Sequence, residues 1–291
     1  MPAAEPAPSA PRRPFATLVC PQCADELTPR GDSLACPRGH SYDLARQGYV
    51  GLLSGGRHVP SSDTAEMVQA RADTLSGGLY SHLTDALARL AAAHCPPDAR
   101  VLDAGTGTGH YLAAVLEALP GAVGLGLDAS KYAVRRAARA HPRAGAATWD
   151  LWQPLPVRTG STDLLLNVFA PRNAAEYHRV LTPSGTLLVV TPADGHLAEL
   201  REPLGLLAVA EAKKDRLERS LGDHFGSAGA EVVGGPLSLT REQAVGLVLM
   251  GPTGHHVSAA ELRERAERGL PDRCTATTAF RLSVHRPRAG A

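Results

Sequence analysis

Apolar and polar positions change rhythm along this chain. The first 14 residues, MPAAEPAPSAPRRP, carry no periodic apolar positions and read as a disordered lead-in. Residues 15–53 hold short, turn-rich pieces. Residues 54–79 are polar and Gly-containing, with helical spacing from about Asp63 to Leu75, a linker between two folded parts. From Tyr80 the pattern becomes an alternation. SHLTDALARLAAAH spaces its apolar residues as a helix does, and RVLDAG is a short buried strand. HYLAAVLEALP is a helix ended by Pro120, and AVGLGLDAS is a second strand. KYAVRRAARAHP is a helix ended by Pro142, and AATWD is a third strand. TDLLLNVFA is apolar throughout, as a central parallel strand is, and TLLVVTPA is the fifth strand after a helix, AAEYHRVLTPSG, stopped by Pro183 and Gly185. Strand–helix alternation of this kind predicts an α/β fold with a doubly wound sheet over residues 80–291. Farther on, HLAELREPLGLLAVAEAKKDRLERSLGDHF is helical in period, EVVGGPLSL reads as a strand, REQAVGLVLM and SAAELRERAERG as helices, and ATTAFRLSVHR as a final strand that extends the sheet.

Composition narrows the class. The chain has 291 residues, 44% hydrophobic and 4% aromatic, so its core is built from Leu, Val and Ala. A formal net charge of +1 gives no overall basic signal for nucleic acid. No apolar run approaches the roughly 18 to 20 residues of a membrane span, and the N-terminal segment lacks the apolar stretch of a secretory signal. Five cysteines, three of them clustered, suit a reducing compartment with a metal site better than a disulfide framework. The expected location is the cytoplasm.

Candidate chemistry begins at Val101-Leu102-Asp103-Ala104-Gly105-Thr106-Gly107-Thr108-Gly109, between a strand and a helix. Glycines there let the backbone turn tightly and approach a ligand. By itself such a loop is weak evidence, open to a dinucleotide or to a plain tight turn. Two carboxylates sharpen it. Asp103 precedes the first glycine, where it can face an ammonium group, and Asp128 ends the second strand, where it can accept from both ribose hydroxyls or simply cap the next helix. The loop with its acidic strand end resembles the class I methyltransferases that use S-adenosylmethionine (SAM). That resemblance implies a Rossmann-like domain, with Asp150 and Trp149 by the adenine, unless they are a turn residue and a buried indole. It also places Asn167-Val168-Phe169-Ala170-Pro171 next to the transferred methyl. Asn167 is the one candidate for positioning a substrate there, and no residue suggests itself as a base.

Cys20-Pro21-Gln22-Cys23 and Cys36-Pro37-Arg38-Gly39-His40 form a C-x2-C-x12-C-x3-H pattern. Cys20, Cys23, Cys36 and His40 would surround one tetrahedral ion in a closed, structural zinc site with no position open for catalysis. A segment this short has little core and needs such a staple. Cys95 and Cys274 lie far away and read as structural thiols, buried or neutral. Arg12, Arg13, Arg30, Arg38, Arg46 and Arg57 surround the cluster and suit RNA phosphates, or are a solvated Arg-rich surface. Metal removal is expected to loosen residues 15–53 and leave the SAM domain folded.

Taken with CPQCADELTPRGDSLACPRGHSYDLARQGYVGLL, DTAEMVQAR, DAGTGTGHY, GLDASKYAVRRAARAHP and TPADGHLAEL, the chain resembles the RlmA-type rRNA methyltransferases over nearly all its length after the lead-in. The resemblance implies a homodimeric, zinc-containing enzyme that methylates N1 of a guanine in the hairpin 35 loop of 23S rRNA, its zinc modules flanking an RNA cleft. The same four zinc ligands carry over. SAM contacts carry over to Tyr80, Tyr111, Leu112, Asp128 and His196, beside Asp103, Gly105, Gly107, Gly109 and Asp150. One family branch modifies guanine 748 and confers tylosin resistance, and the Ala- and Arg-rich composition leans to it; the other modifies a neighbouring guanine. Two other classes stay open at this point: a small-molecule methyltransferase braced by its zinc module, and an RNA-binding protein with a vestigial SAM pocket.

Overall fold

The computed structural model describes residues 14–53, 59, 62–206 and 221–290. The lead-in, Arg12, Arg13, Arg57 and the middle of the long helical stretch after residue 206 fall outside them.

Four short strands open the chain. β1 (Thr28–Arg30), β2 (Ser33–Ala35) and β3 (Ser41–Asp43) make a small antiparallel sheet. β4 (Tyr49–Gly51) leaves it and pairs in parallel with β7 (Ala144–Thr148) at the edge of the main sheet. The N-terminal module and the rest of the protein therefore share one sheet.

The strands foreseen from the alternation all form: β5 (Arg100–Ala104), β6 (Val123–Asp128), β7, β8 (Thr162–Val168) and β9 (Leu181–Pro192). With β10 (Phe225–Thr240) and β11 (Arg273–Pro287) they give the order β10-β11-β9-β8-β5-β6-β7-β4. β4 to β9 run parallel, and β11 inserts antiparallel between β9 and β10. Strand order reverses between β5 and β8, so a ligand crevice lies outside their carboxyl ends.

Side-chain alternation distributes the two faces. Leu164, Leu166 and Val168 of β8 join Val101 on one face, beneath α2 (Ser81–His94) and α3 (His110–Ala118). α4 (Lys131–Ala137) lies on the same side, over β6 and β7. The opposite face carries Leu102, Ala104, Leu125, Leu127, Leu165, Leu187 and Val189. α5 (Ala174–Val180) covers part of it. The remainder is covered by the N-terminal module, through Phe15, Leu18, Leu27, Leu34 and Val50. A parallel sheet needs cover on both faces, and here the module supplies what a crossover helix supplies elsewhere.

Several boundaries moved. The predicted helix AAEYHRVLTPSG stops at Val180, because Leu181 already hydrogen-bonds as strand β9 opposite Thr162. After residue 196 the described helix is α6 (Ala198–Leu204), closed by left-handed Gly205. Near the C-terminus β10 is longer than EVVGGPLSL. α7 (Arg241–Leu249) starts on a Thr240/Gln243 capping box and α8 (Ala259–Gly269) on Ser258. The linker helix is α1 (Ala65–Ser76), capped by Thr64 and packed against α7 and α4.

Candidate functional site

The glycine loop is held by the strand beside it. Gly105 and Thr106 both donate backbone N–H groups to Leu127 O, at 2.9 and 3.0 Å. Gly105, Gly107 and Gly109 all have positive φ. At Gly105 (φ +90°) an added Cβ would lie 2.3 Å from Ala170 Cβ, so the residues after β8 press directly on the loop. Asp128 closes it from the other side: Oδ2 accepts from Gly107 N at 2.9 Å and Oδ1 from Ser130 N at 2.8 Å. Burial raises its pKa, and those two bonds oppose the rise. Each carboxylate oxygen keeps lone pairs for further donors.

Asp103 is 1% exposed and its Oδ1 has no hydrogen-bond partner among the described residues; nor has Thr106 Oγ1. Burial pushes the Asp103 pKa up to about 7. A buried carboxyl group with one oxygen left unsatisfied at the mouth of a glycine loop fits a ligand's ammonium group. Trp149 Nε1 is a third orphaned polar atom nearby in the fold, at the end of β7, where Trp149 N also donates to Asp128 O at 2.9 Å. Asp150 builds the following turn, Oδ1 accepting from Trp152 N at 3.1 Å, which favours its turn role while leaving the other oxygen for a ligand.

The resemblance-derived contacts fall into two kinds. Tyr80 and His196 meet around Phe280, with ring centroids 4.7 Å from it in each case. His196 Nδ1 accepts from Ala279 N at 3.2 Å, and burial pushes its pKa down to about 4. The ring is neutral and presents Nε2–H as a donor. Tyr111 is buried, with the His110 ring 5.4 Å away. Leu112 is different. Its side chain packs into the core against Gly124, so a ligand contact from it comes from the backbone N–H, free in the first turn of α3.

Asn167 does not present its amide donor to a substrate. It is fully buried, and Nδ2 donates to Pro171 O at 2.9 Å and Tyr177 OH at 3.0 Å, while Tyr177 OH donates to Pro171 O at 2.7 Å. These bonds shape the turn after β8; Oδ1 is left without a partner. Phe169, two residues along, lies in the stretch the resemblance sets beside the methyl, though the sequence did not single it out. It has φ +54° and is 44% exposed, with its ring 5.6 Å from that of Phe280. A left-handed aromatic costs about 1–2 kcal/mol, and such strain collects at functional sites. Arg71 was also missed. It pairs with Asp63, donates to Met250 O at 2.6 Å, and lies over Gly107. Through it α1 and α7 roof the loop, and DTAEMVQAR in the sequence was the available signal.

At the second site Cys20, Cys23, Cys36 and His40 place their ligand atoms within 4.8 Å of one another. Sulfur-to-Nδ1 distances are 3.3, 3.4 and 3.6 Å, and Cys23 Sγ lies 3.7 Å from Cys36 Sγ. An ion about 2.3 Å from sulfur and 2.0 Å from nitrogen sets tetrahedral edges of roughly 3.8 and 3.5 Å, so the four atoms fit zinc. Tyr42 OH stands 3.3 Å from Cys20 Sγ, and Asp25 Oδ2 is 3.4 Å from Cys23 Sγ while accepting from Arg38 Nε at 2.9 Å. Such outer partners orient metal ligands.

A reversed parallel sheet with an inserted antiparallel strand, a glycine loop and paired acidic strand ends defines a SAM-dependent methyltransferase carrying a structural zinc ribbon. Comparison with known proteins agrees. The zinc-ribbon family described as RlmA, N-terminal, matches residues 18–55. A 23S rRNA (guanine(748)-N(1))-methyltransferase of Streptomyces fradiae is 48% identical over 273 residues, spanning 93% of this chain and 96% of that protein. A Micromonospora griseorubida protein, provisionally named a 23S rRNA (guanine-N(1)-)-methyltransferase, is 49% identical over 291 residues, covering 93% and 97%. The chain belongs to the RlmA-type 23S rRNA (guanine-N1)-methyltransferase family.

Proposed function

We propose that this protein transfers the methyl group of SAM to N1 of guanine 748, in the hairpin 35 loop of 23S rRNA, and so confers resistance to tylosin-type macrolides. The observation that carries this is the match, along 93% of the chain, to a relative named for guanine 748. The four cysteine-cluster ligands and the free thiols of Cys95 and Cys274 suit a cytoplasmic enzyme, and among the described residues no helix is long and apolar enough to cross a membrane. The homodimer implied by the resemblance belongs to the same proposal.

SAM supplies an electrophilic methyl group; the protein's part is holding and positioning. Asp103 would receive the ammonium end, Asp128 the ribose hydroxyls and the Trp149–Asp150 turn the adenine. Tyr80, Tyr111, His196 and the α3 N-terminus enclose the remainder. Guanine N1 carries a proton at neutral pH, so the reaction also needs a proton acceptor. Asn167 contributes by fixing the Pro171 carbonyl and the turn that aims Phe169. A loop guanine is easily unstacked, and Phe169 offers its exposed ring as the face on which it rests. Base–aromatic stacking is worth about 1–3 kcal/mol, so Phe169→Ala should lower kcat/KM roughly 5- to 150-fold and Phe169→Tyr should largely preserve it. Equal activity of the Ala variant would remove that role.

The test of the function is transfer of radiolabelled methyl from SAM to unmodified 23S rRNA, the base mapped by reverse-transcription stop. A stop at guanine 748 is expected. A stop at the neighbouring guanine would move the protein to the other branch, and intact SAM binding without label in RNA would point to a small-molecule substrate.

A further inference from the structure

The fold uses many of its arginines internally. Arg143 donates to Leu119 O and Ala122 O at 2.7 and 2.6 Å, Arg179 to Leu155 O and Val157 O at 2.8 Å each, and Arg286 to Ser184 O at 2.9 Å. A guanidinium so committed has little left for a partner. The zinc ribbon is no richer. Its residues 14–53 contain three arginines against Asp25, Glu26, Asp32 and Asp43, and Arg38 is paired with Asp25 while Glu26 holds Arg158. The described part of the ribbon is thus close to charge-balanced.

One stretch behaves differently. Residues 129–143 hold Lys131, Arg135, Arg136, Arg139 and Arg143 with no acidic residue, in a chain whose formal net charge is only +1. The rest of the protein is therefore net negative. Lys131, Arg135 and Arg139 are exposed and make no ion pair or side-chain hydrogen bond among the described residues. Spaced by four, they line one side of α4 and the turn that follows, over about 12 Å. Like charges at this spacing cost a helix about 0.2–0.5 kcal/mol per pair, and no acidic residue in the stretch offsets them. Tyr132 stands among them, 37% exposed, with Lys131 Nζ 5.2 Å from its ring centroid.

Position adds to the argument. α4 is capped by Ser130, whose backbone N–H donates to Asp128 and whose hydroxyl donates to Asp63 O at 2.7 Å. The stripe therefore starts at the rim of the SAM site. At its other end Tyr49 packs against Val134, Ala137 and Ala138, and Gly48 lies beside Ala138. The turn just before Gly48 carries exposed Arg46.

We propose that the outer face of α4, continued by Arg46, is the track along which the phosphate backbone of the RNA substrate lies, leading the target loop to the SAM site. The zinc ribbon contributes Arg46 to this track. This rests on the RNA reading given above.

The experiment compares full-length, zinc-loaded protein with a Lys131→Gln/Arg135→Gln/Arg139→Gln variant. Binding of a 23S rRNA fragment containing hairpin 35 is measured across a salt series. Each lost phosphate contact should lower the log–log salt slope by about 0.7, so about 2 in all, and affinity should fall on the order of tenfold or more at physiological salt. SAM affinity should be unchanged and Tm unchanged or slightly raised, since the like-charge repulsion is relieved, and Arg135→Lys/Arg139→Lys should bind as the wild type does. An Arg30→Gln/Arg38→Gln variant on the ribbon should change the slope by less than the α4 variant. Wild-type RNA affinity and slope in the α4 triple variant would overturn the proposal, whichever anionic partner the face then serves. Failure of the wild type itself to bind or methylate RNA would instead bring down the functional reading and this track with it.

Discussion

Removing zinc should destabilise the whole protein and not only its N-terminal ribbon. Phe15, Leu18, Val50 and Leu52 belong to the N-terminal module, yet each is at most 4% exposed within a cluster that includes Leu102, Leu125 and Leu165 of the main sheet. Burying a side chain of this size stabilises by about 1.5–3 kcal/mol. These four alone represent about 6–12 kcal/mol, comparable to the whole net stability of a typical domain, about 5–15 kcal/mol. β4 would also be lost from the edge of β7. A loss of even about 5 kcal/mol corresponds to roughly 10–20 °C in Tm for a protein of this size class. The assay is thermal unfolding by circular dichroism and by fluorescence of Trp149 and Trp152, on holo protein and after chelation with metal loss quantified. Both probes should report one cooperative transition at a lower temperature, and SAM binding should disappear with it; Cys36→Ala should reproduce this without chelator. A SAM domain that melts at its original temperature after verified metal loss would refute the reasoning and restore the sequence-based expectation of a separable module.

Two other outcomes follow from the site. Gly105→Ala would combine a left-handed φ, about 1–2 kcal/mol, with a methyl group 2.3 Å from Ala170 Cβ, an overpacking cost of about 1–3 kcal/mol; calorimetry should show SAM affinity reduced at least tenfold, with Tm lowered. Asp103 is raised to about 7 by burial, so its neutral form favours the fold. That contribution is complete below the ordinary carboxylate range near 4 and is lost as pH rises through 7. Ligand-free protein should therefore melt at lower temperature as pH goes from 5 to 7.5, SAM affinity should run the opposite way, and Asp103→Asn should flatten both dependences.

Much of this was legible in the chain itself. Chemistry confined to a short run of residues could be read directly: the C-x2-C-x12-C-x3-H ligand set, the glycine loop with Asp103, and Asp128 at its strand end. Period-two and period-3.6 patterns located β5 to β9 and most of the helices, because each such element buries one stripe or face and local spacing records it. Side-chain partnerships set by the fold were not legible in this way. Asn167 looked like a substrate contact, but Tyr177 and Pro171 take its donor. Of the six arginines read as a ribbon surface, Arg38 pairs with Asp25 and Arg30 and Arg46 are exposed, while Arg12, Arg13 and Arg57 lie outside the described residues.

By itself, then, the sequence determined the family, the metal ligands and the order of strands and helices, since each depends on residue identity at fixed short spacing. Only the tertiary structure decided that β4 extends the main sheet, that the zinc ribbon supplies one wall of the methyltransferase core, that α1 and α7 roof the glycine loop through Arg71, and that Phe169 is left exposed in a strained turn. Those outcomes depend on which faces of distant segments exclude water together, and burial of that kind is a property of the assembled chain.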